Sequence, residues 1–156
     1  MSAYFFDASA IVKRYVQETG TDWVRRLTRR GNPTPIYLAG ITAVEVTSAV
    51  ARRRGTGAGR IAPPRVRNIL TRFRGHLAGR YLILEITPAL LTAAMRLADS
   101  HELRAYDAVQ LAAALELNAR YQAAGLGGIT LISADQDLNT AATADGLTVD
   151  DPNTHP

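Results

Sequence analysis

The 156 residues are 47% hydrophobic and 21% charged, an ordinary globular balance in a chain long enough to bury a real core. The absence of cysteine excludes disulfide scaffolds, thiolate zinc sites and cysteine nucleophiles, and three histidines leave little for an imidazole-based metal site. The formal charge of +4 permits a polyanionic partner; Lys13 is the only lysine among 18 basic residues, and an arginine excess suits phosphate or simply reflects arginine-biased codon usage.

In chain order, apolar runs alternate with helical stretches, which predicts an α/β domain spanning 1–156 around a parallel sheet of four or five strands. Residues 3–6 read as a buried strand, followed by a helix carrying Ile11, Val12 and Tyr15. A helix from Thr21 to Arg30 should stop at Gly31-Asn32-Pro33. Ile36 to Ala39 is a second strand, and a helix runs from Thr42 to Arg53. After the glycine-rich break at 55–59, Pro63-Pro64 opens a helix to Leu77. Tyr81 to Ile86 is a third strand, Pro88 to Ser100 a helix, and Arg104 to Ala124 another. Ile129 to Ile132 is the fourth strand, Ala134 to Ala144 a short helix, and Leu147 to Val149 a fifth, short strand. Residues 150–156 read as a flexible tail.

No apolar run approaches the ~20 residues of a membrane span. The N-terminal ten residues lack the basic start of a signal peptide and meet an acid at Asp7, so a cytoplasmic protein with no membrane contact is expected.

Four acids stand where a charge is costly or at a strand's end. Asp7 follows Tyr4-Phe5-Phe6, Glu45 interrupts an apolar helix face, Asp107 precedes Ala108-Val109, and Asp135 follows Leu131-Ile132-Ser133. In an open parallel sheet, residues just past the strand ends share one crevice, so these carboxylates can converge. Oxygen donors without sulfur or imidazole suit Mg²⁺ or Mn²⁺. Taken singly, each acid is equally well a helix cap: Thr42 with Glu45, Asp107 with Gln110, and Ser133 with Gln136 all fit capping boxes.

Other chemistries lack their residues. A D-x-D phosphatase motif fails because Ser9 holds the second position, and no lysine lies near the last strand for a receiver domain. There is no phosphate-binding G-K-[ST] loop, and Gly55, Gly57 and Gly59 do not follow a strand as a dinucleotide fingerprint would.

The segments Tyr4-Phe5-Phe6-Asp7-Ala8-Ser9-Ala10-Ile11-Val12-Lys13-Arg14-Tyr15, Thr42-Ala43-Val44-Glu45-Val46, Leu103-Arg104-Ala105-Tyr106-Asp107-Ala108-Val109-Gln110 and Ile132-Ser133-Ala134-Asp135-Gln136-Asp137-Leu138 resemble, in order and spacing, the four acidic motifs of the PIN-domain ribonucleases. The nearest resemblance is to the VapC-like toxins of type II toxin–antitoxin pairs. It implies a three-layer α/β/α PIN fold and a Mg²⁺- or Mn²⁺-dependent endoribonuclease leaving a 5′-phosphate and a 3′-hydroxyl. It also implies a homodimer, an RNA substrate and a cognate antitoxin as partners. By motif position Asp7, Glu45, Asp107 and Asp135 carry over as catalytic and metal-binding acids, and Ser9 and Ser133 as site hydroxyls. Gln110 stands where many relatives have histidine. Alternatives within the same resemblance are a PIN nuclease of RNA processing or of DNA, and a catalytically silent RNA- or protein-binding module.

Residues 46–84 contain nine arginines and no acid, which makes this stretch, Arg52 and Arg53 foremost, the candidate contact for an RNA backbone or an acidic antitoxin segment. Arg104, near Asp107, contacts substrate or pairs with an acid. Trp23, Tyr15 and Tyr37 read as core or interface residues, and the apolar faces around Val16, Trp23 and Leu27 as candidates for the dimer surface.

Overall fold

All five expected strands form and pair in one sheet. In the computed structural model, which describes residues 2–156, these are β1 (Ala3–Phe6), β2 (Ile36–Ala39), β3 (Leu82–Leu84), β4 (Ile129–Ile132) and β5 (Thr148–Asp150). They lie parallel in the order β3-β2-β1-β4-β5, with Tyr4 beside Ile36 and Phe6 beside Ile132. β3 is shorter than the sequence suggests. The Tyr81 N–H is taken by the His76 carbonyl of the preceding helix and does not join the ladder.

The helices are α1 (Ala8–Ile11), continued by a tight turn over Val12–Arg14, then α2 (Thr21–Leu27), α3 (Thr42–Arg52), α4 (Pro63–Gly79), α5 (Pro88–His101), α6 (Ala105–Ala123) and α7 (Gln136–Ala144). α2 stops short of Arg30. The Thr28 hydroxyl bonds back to the Val24 carbonyl, while Arg14 and Arg80 both donate to the Thr28 carbonyl and occupy it. Among the described residues no helix is long and apolar enough to cross a membrane.

The two-residue period of the strands sorts side chains onto two faces. Ala3, Phe5, Ala39, Ile129 and Leu131 join a core beneath α5, α6 and α7, whereas Phe6, Ile36, Leu38 and Ile132 join a second core with α1 to α4. The result is a three-layer α/β/α architecture with the sheet buried on both sides, which is why the strands are near-continuously apolar. Leu111 to Ala114 are all buried, and the three alanines let α6 lie close on the sheet. Fully burying one side chain such as Phe5 stabilises the fold by about 1.5–3 kcal/mol.

Residues 150–156 do not form the loose end that their polar composition suggests. Asp150 completes β5, and Pro152–Thr154 form a 3₁₀ turn whose N-cap Asp151 accepts from the Asn153 N–H. Pro152 is buried. His155 stacks on Trp23 at 4.2 Å with the rings 4° from parallel, and its Nε2 pairs with Asp150. A proline and a stacked ring supply apolar contacts that local composition does not advertise. Of the apolar face around Val16, Trp23 and Leu27, Val16 is buried in the α1–α4 core, while Trp23 and Leu27 pack against that core half-buried.

Candidate active site

Parallel strands deliver the residues that follow them to one edge of the sheet. Asp7 comes directly after β1 and Asp135 three residues after the neighbouring β4. Glu45 sits in the first turn of α3, after β2, and Asp107 in the first turn of α6. These four acids, about 100 residues or more apart at the extremes of the chain, line a single cavity of about 700 Å³. Ser9, Arg52, Arg53 and Arg104 line it too.

The capping explanation holds for two of the acids and fails for the other two. Asp7 Oδ1 accepts from the Ala10 N–H at 3.2 Å and caps α1; Asp135 Oδ1 accepts from the Leu138 N–H at 3.0 Å and caps α7. Neither the Thr42–Glu45 nor the Asp107–Gln110 capping box forms, since α3 and α6 begin after Ile41 and Arg104 without any side-chain cap. Instead the buried Gln110 reaches across from α6, its Nε2 donating to Thr42 Oγ1 at 2.8 Å and to Glu45 Oε1 at 2.7 Å. Asp107 has no hydrogen-bond partner among the described residues, so no local role accounts for it.

Ser9 ties two loops together. Its hydroxyl donates to Asp7 Oδ1 at 2.8 Å and accepts from the Ala134 N–H at 2.9 Å, linking the β1 and β4 ends of the site. Ser133 differs from the site hydroxyl that the sequence suggests. It is fully buried, does not line the cavity, and spends its oxygen accepting from the Asp135 N–H. The Ser133–Gln136 capping box is absent as well, because Asp135 takes the cap and the Gln136 amide donates to Asp151.

The electrostatics are those of crowded anions. Burial pushes the Asp7 carboxyl up to about 7, against hydrogen bonds from Ser9 and Ala10 that favour its charge, with the Glu45 charge adding a smaller upward push. Glu45 is raised by burial, opposed by the Gln110 hydrogen bond, and raised further by the Asp107 charge. Asp107 is raised by burial and by Asp135 and Asp137, and is only partly relieved by Arg104. Each acid feels the next, so the cavity holds one coupled negative field.

The PIN domain family matches this sequence from residue 4 to residue 144, which takes in all four acids. The chain belongs to the PIN domain family. PIN domains are generally nucleases. Three solved structures share the fold at low identity. PAE2754 from Pyrobaculum aerophilum is 18% identical, with a TM-score of 0.57 over 99% of this chain and 92% of that one. FitAB bound to an IR36 DNA fragment is 18% identical, with a TM-score of 0.63 over 96% and 94%. FitAcB from Neisseria gonorrhoeae is 19% identical, with a TM-score of 0.58 over 96% and 97%. No curated protein matches the sequence.

The donor chemistry of this PIN domain fits a hard dication: carboxylate oxygens, raised by burial and mutual repulsion, in a water-accessible cavity. The side chains are not drawn into a closed cage, for among the described residues no three acidic or histidine groups are gathered tightly enough to hold an ion by themselves.

Several wall residues escape a search for acids. Lys13, 5% exposed, lines the cavity and donates to Glu18 at 3.2 Å and to Asn153 Oδ1 at 3.0 Å. Glu18 also pairs with Arg53, so a single acid yokes two cations at the rim. The signal for Lys13 was its being the sole lysine in an apolar helix; Asn153, in the supposed tail, gave none. Asp137 lies outside this cavity, in a smaller one with His101 and Glu102.

Proposed function

We propose that this PIN domain is a Mg²⁺- or Mn²⁺-dependent endoribonuclease, the toxin of a VapC-like toxin–antitoxin pair, acting in the cytoplasm as a homodimer and silenced by a cognate antitoxin. The observation that carries the proposal is the convergence of Asp7, Glu45, Asp107 and Asp135 on one cavity rimmed by Arg52, Arg53 and Arg104. Asp7 and Asp107 are the first candidates to hold the ion; Glu45 and Asp135 hold it too, orient its waters or take the proton from the attacking one. When bound, the ion offsets charge on the phosphoryl oxygens and activates a water for attack. Gln110 fixes the direction of the Glu45 carboxylate. Arg104, Arg52 and Arg53 neutralise phosphates flanking the scissile bond. Water adds to phosphorus as the bond to the 3′-oxygen breaks, leaving a 5′-phosphate and a 3′-hydroxyl.

The test is cleavage by the purified chain of labelled RNA and of single-stranded DNA, with Mg²⁺, with Mn²⁺ and with EDTA. RNA cleavage that EDTA stops and that Asp107→Asn lacks is the expected result. One structural relative, FitAB, is described bound to DNA, so cleavage of DNA alone would replace the RNA reading. Binding without cleavage of either would leave a silent module. For the toxin assignment, co-expression with the product of a small overlapping upstream gene should yield a complex without activity.

A further inference from the structure

At the opposite edge of the sheet from the carboxylates lies a second cavity, of about 570 Å³, at the starts of β2 and β3. Its walls are the α2–β2 connection from Arg29 to Ile36, the end of α4 from Gly75 to Arg80, and Leu82. It contains Arg29, Arg30, His76 and Arg80 and no acid. The surrounding sequence explains this purity: residues 23–84 hold 13 of the 17 arginines and a single acid, Glu45, which faces the other cavity.

The cations here divide into two kinds. Arg14 and Arg80 are spent on the Thr28 carbonyl at the end of α2, where arginine also complements the helix dipole. Arg29 and Arg30 are exposed, and among the described residues neither has an ion-pair or side-chain hydrogen-bond partner. The field is felt by His76, which burial together with Arg14, Arg80 and Arg72 holds down to about 4, so the imidazole stays neutral. Its Nδ1 is engaged by the Tyr15 hydroxyl. Two free guanidinium forks beside a concave, carboxylate-free wall suit phosphate oxygens. The polar lining is less suited to an amphipathic peptide, which needs an apolar groove.

We propose that Arg29 and Arg30 form a phosphate-binding exosite that holds the backbone of an RNA strand whose other part enters the carboxylate cavity. The exosite deepens the nuclease reading by naming how a long substrate is gripped, yet it is a statement about binding and stands without cleavage. The parallel sheet sets the separation. Four-residue strands at about 3.3 Å per residue place the two sites at least ~13 Å apart, so one strand must wrap a sheet edge to touch both.

The experiment uses the full chain with Asp107→Asn, to keep RNA intact, and measures binding of a labelled single-stranded RNA of about 30 nucleotides across a salt series. Arg29→Ala/Arg30→Ala should weaken binding and reduce the slope of log affinity against log salt by about 1.4, two phosphates at ~0.7 each. Arg29→Lys/Arg30→Lys should restore the slope. Arg25→Ala/Arg26→Ala, the same formal charge loss in the last turn of the preceding helix α2 and outside the cavity, should change it less. An unchanged slope, an equal loss from both alanine pairs, or no RNA binding by the parent overturns the exosite, as does lost binding of a polyglutamate peptide with RNA binding intact. Cleavage by the unsubstituted chain, measured alongside, reports on the nuclease reading separately: its absence with the binding difference preserved would sink that reading and leave the exosite standing.

Discussion

Gln110 Nε2 donates to Glu45 Oε1 at 2.7 Å and joins α6 to the first turn of α3, whose Glu45 lines the carboxylate cavity. Gln110 is 1% exposed, and its own Oε1 is buried without a partner among the described residues. The bond therefore serves the acid more than it serves the glutamine. Without it, Glu45 would be free to swing away from Asp107.

Gln110→Met keeps the volume and removes both donors. It leaves Thr42 and Glu45 short of a partner and should destabilise the fold by about 1–3 kcal/mol, less what is recovered from the orphan oxygen. Urea unfolding measures this. Nuclease turnover should fall by more than the folded fraction does, because Glu45 is no longer aimed.

Asp7 sets a pH dependence whose sign is unusual for a carboxylate. Its folded value of about 7 lies above the ordinary 3.8, so the folded state holds the proton more tightly than the unfolded chain does. The contribution is fully present at acid pH and is lost as pH rises through that window. Asp7→Asn keeps an oxygen to cap α1 while removing the charge. It should flatten the decline and stabilise the metal-free protein at pH 7.5 by an amount of order 1–3 kcal/mol, read as a higher melting temperature. A lower melting temperature at that pH would show that Asp7 is in the main a stabilising cap.

Metal should reverse the repulsion. At a concentration about a hundredfold over its dissociation constant, an ion bound only by the folded form stabilises by about 2.7 kcal/mol. Mg²⁺ or Mn²⁺ should raise the melting temperature of the parent chain. Asp107 makes no hydrogen bond among the described residues, so Asp107→Asn should fold as well as the parent without metal yet lose that increment. Thermal scans of both chains, with and without metal, decide it.

The C-terminal turn is seated on Gly20. With φ of +82°, this residue is in the left-handed region, and a Cβ there would lie 2.1 Å from the Pro152 carbonyl oxygen. Gly20→Ala should cost about 1–3 kcal/mol from backbone strain alone, and more if the turn is displaced. Trp23 is the only tryptophan, so its emission reports the turn directly. Both Gly20→Ala and His155→Ala should shift that emission to the red as the stacked ring is lost, and both should loosen Asn153 from Lys13.

The sequence by itself determined the alternation of strands and helices, the two-faced burial of each strand, and the four acids that stand after strands or in first turns of helices, because these depend on local period and on the cost of a charge beside apolar neighbours. β2 and β4 fall on the expected residues. Local rules could not separate caps from site acids: Thr42–Glu45 and Ser133–Gln136 obey the same spacing, yet in the fold Gln110 claims Thr42 and Glu45 from 65 or more residues away while Asp135 takes the cap itself. Only tertiary structure decided that Ser133 faces inward, that residues 150–156 pack on Trp23 and Gly20, and that Arg52, Arg53 and Arg104 line one cavity while Arg29, Arg30 and Arg80 line another. Each of those outcomes rests on contacts between segments distant in the chain, brought together by the order of the strands in the sheet and not by proximity in sequence.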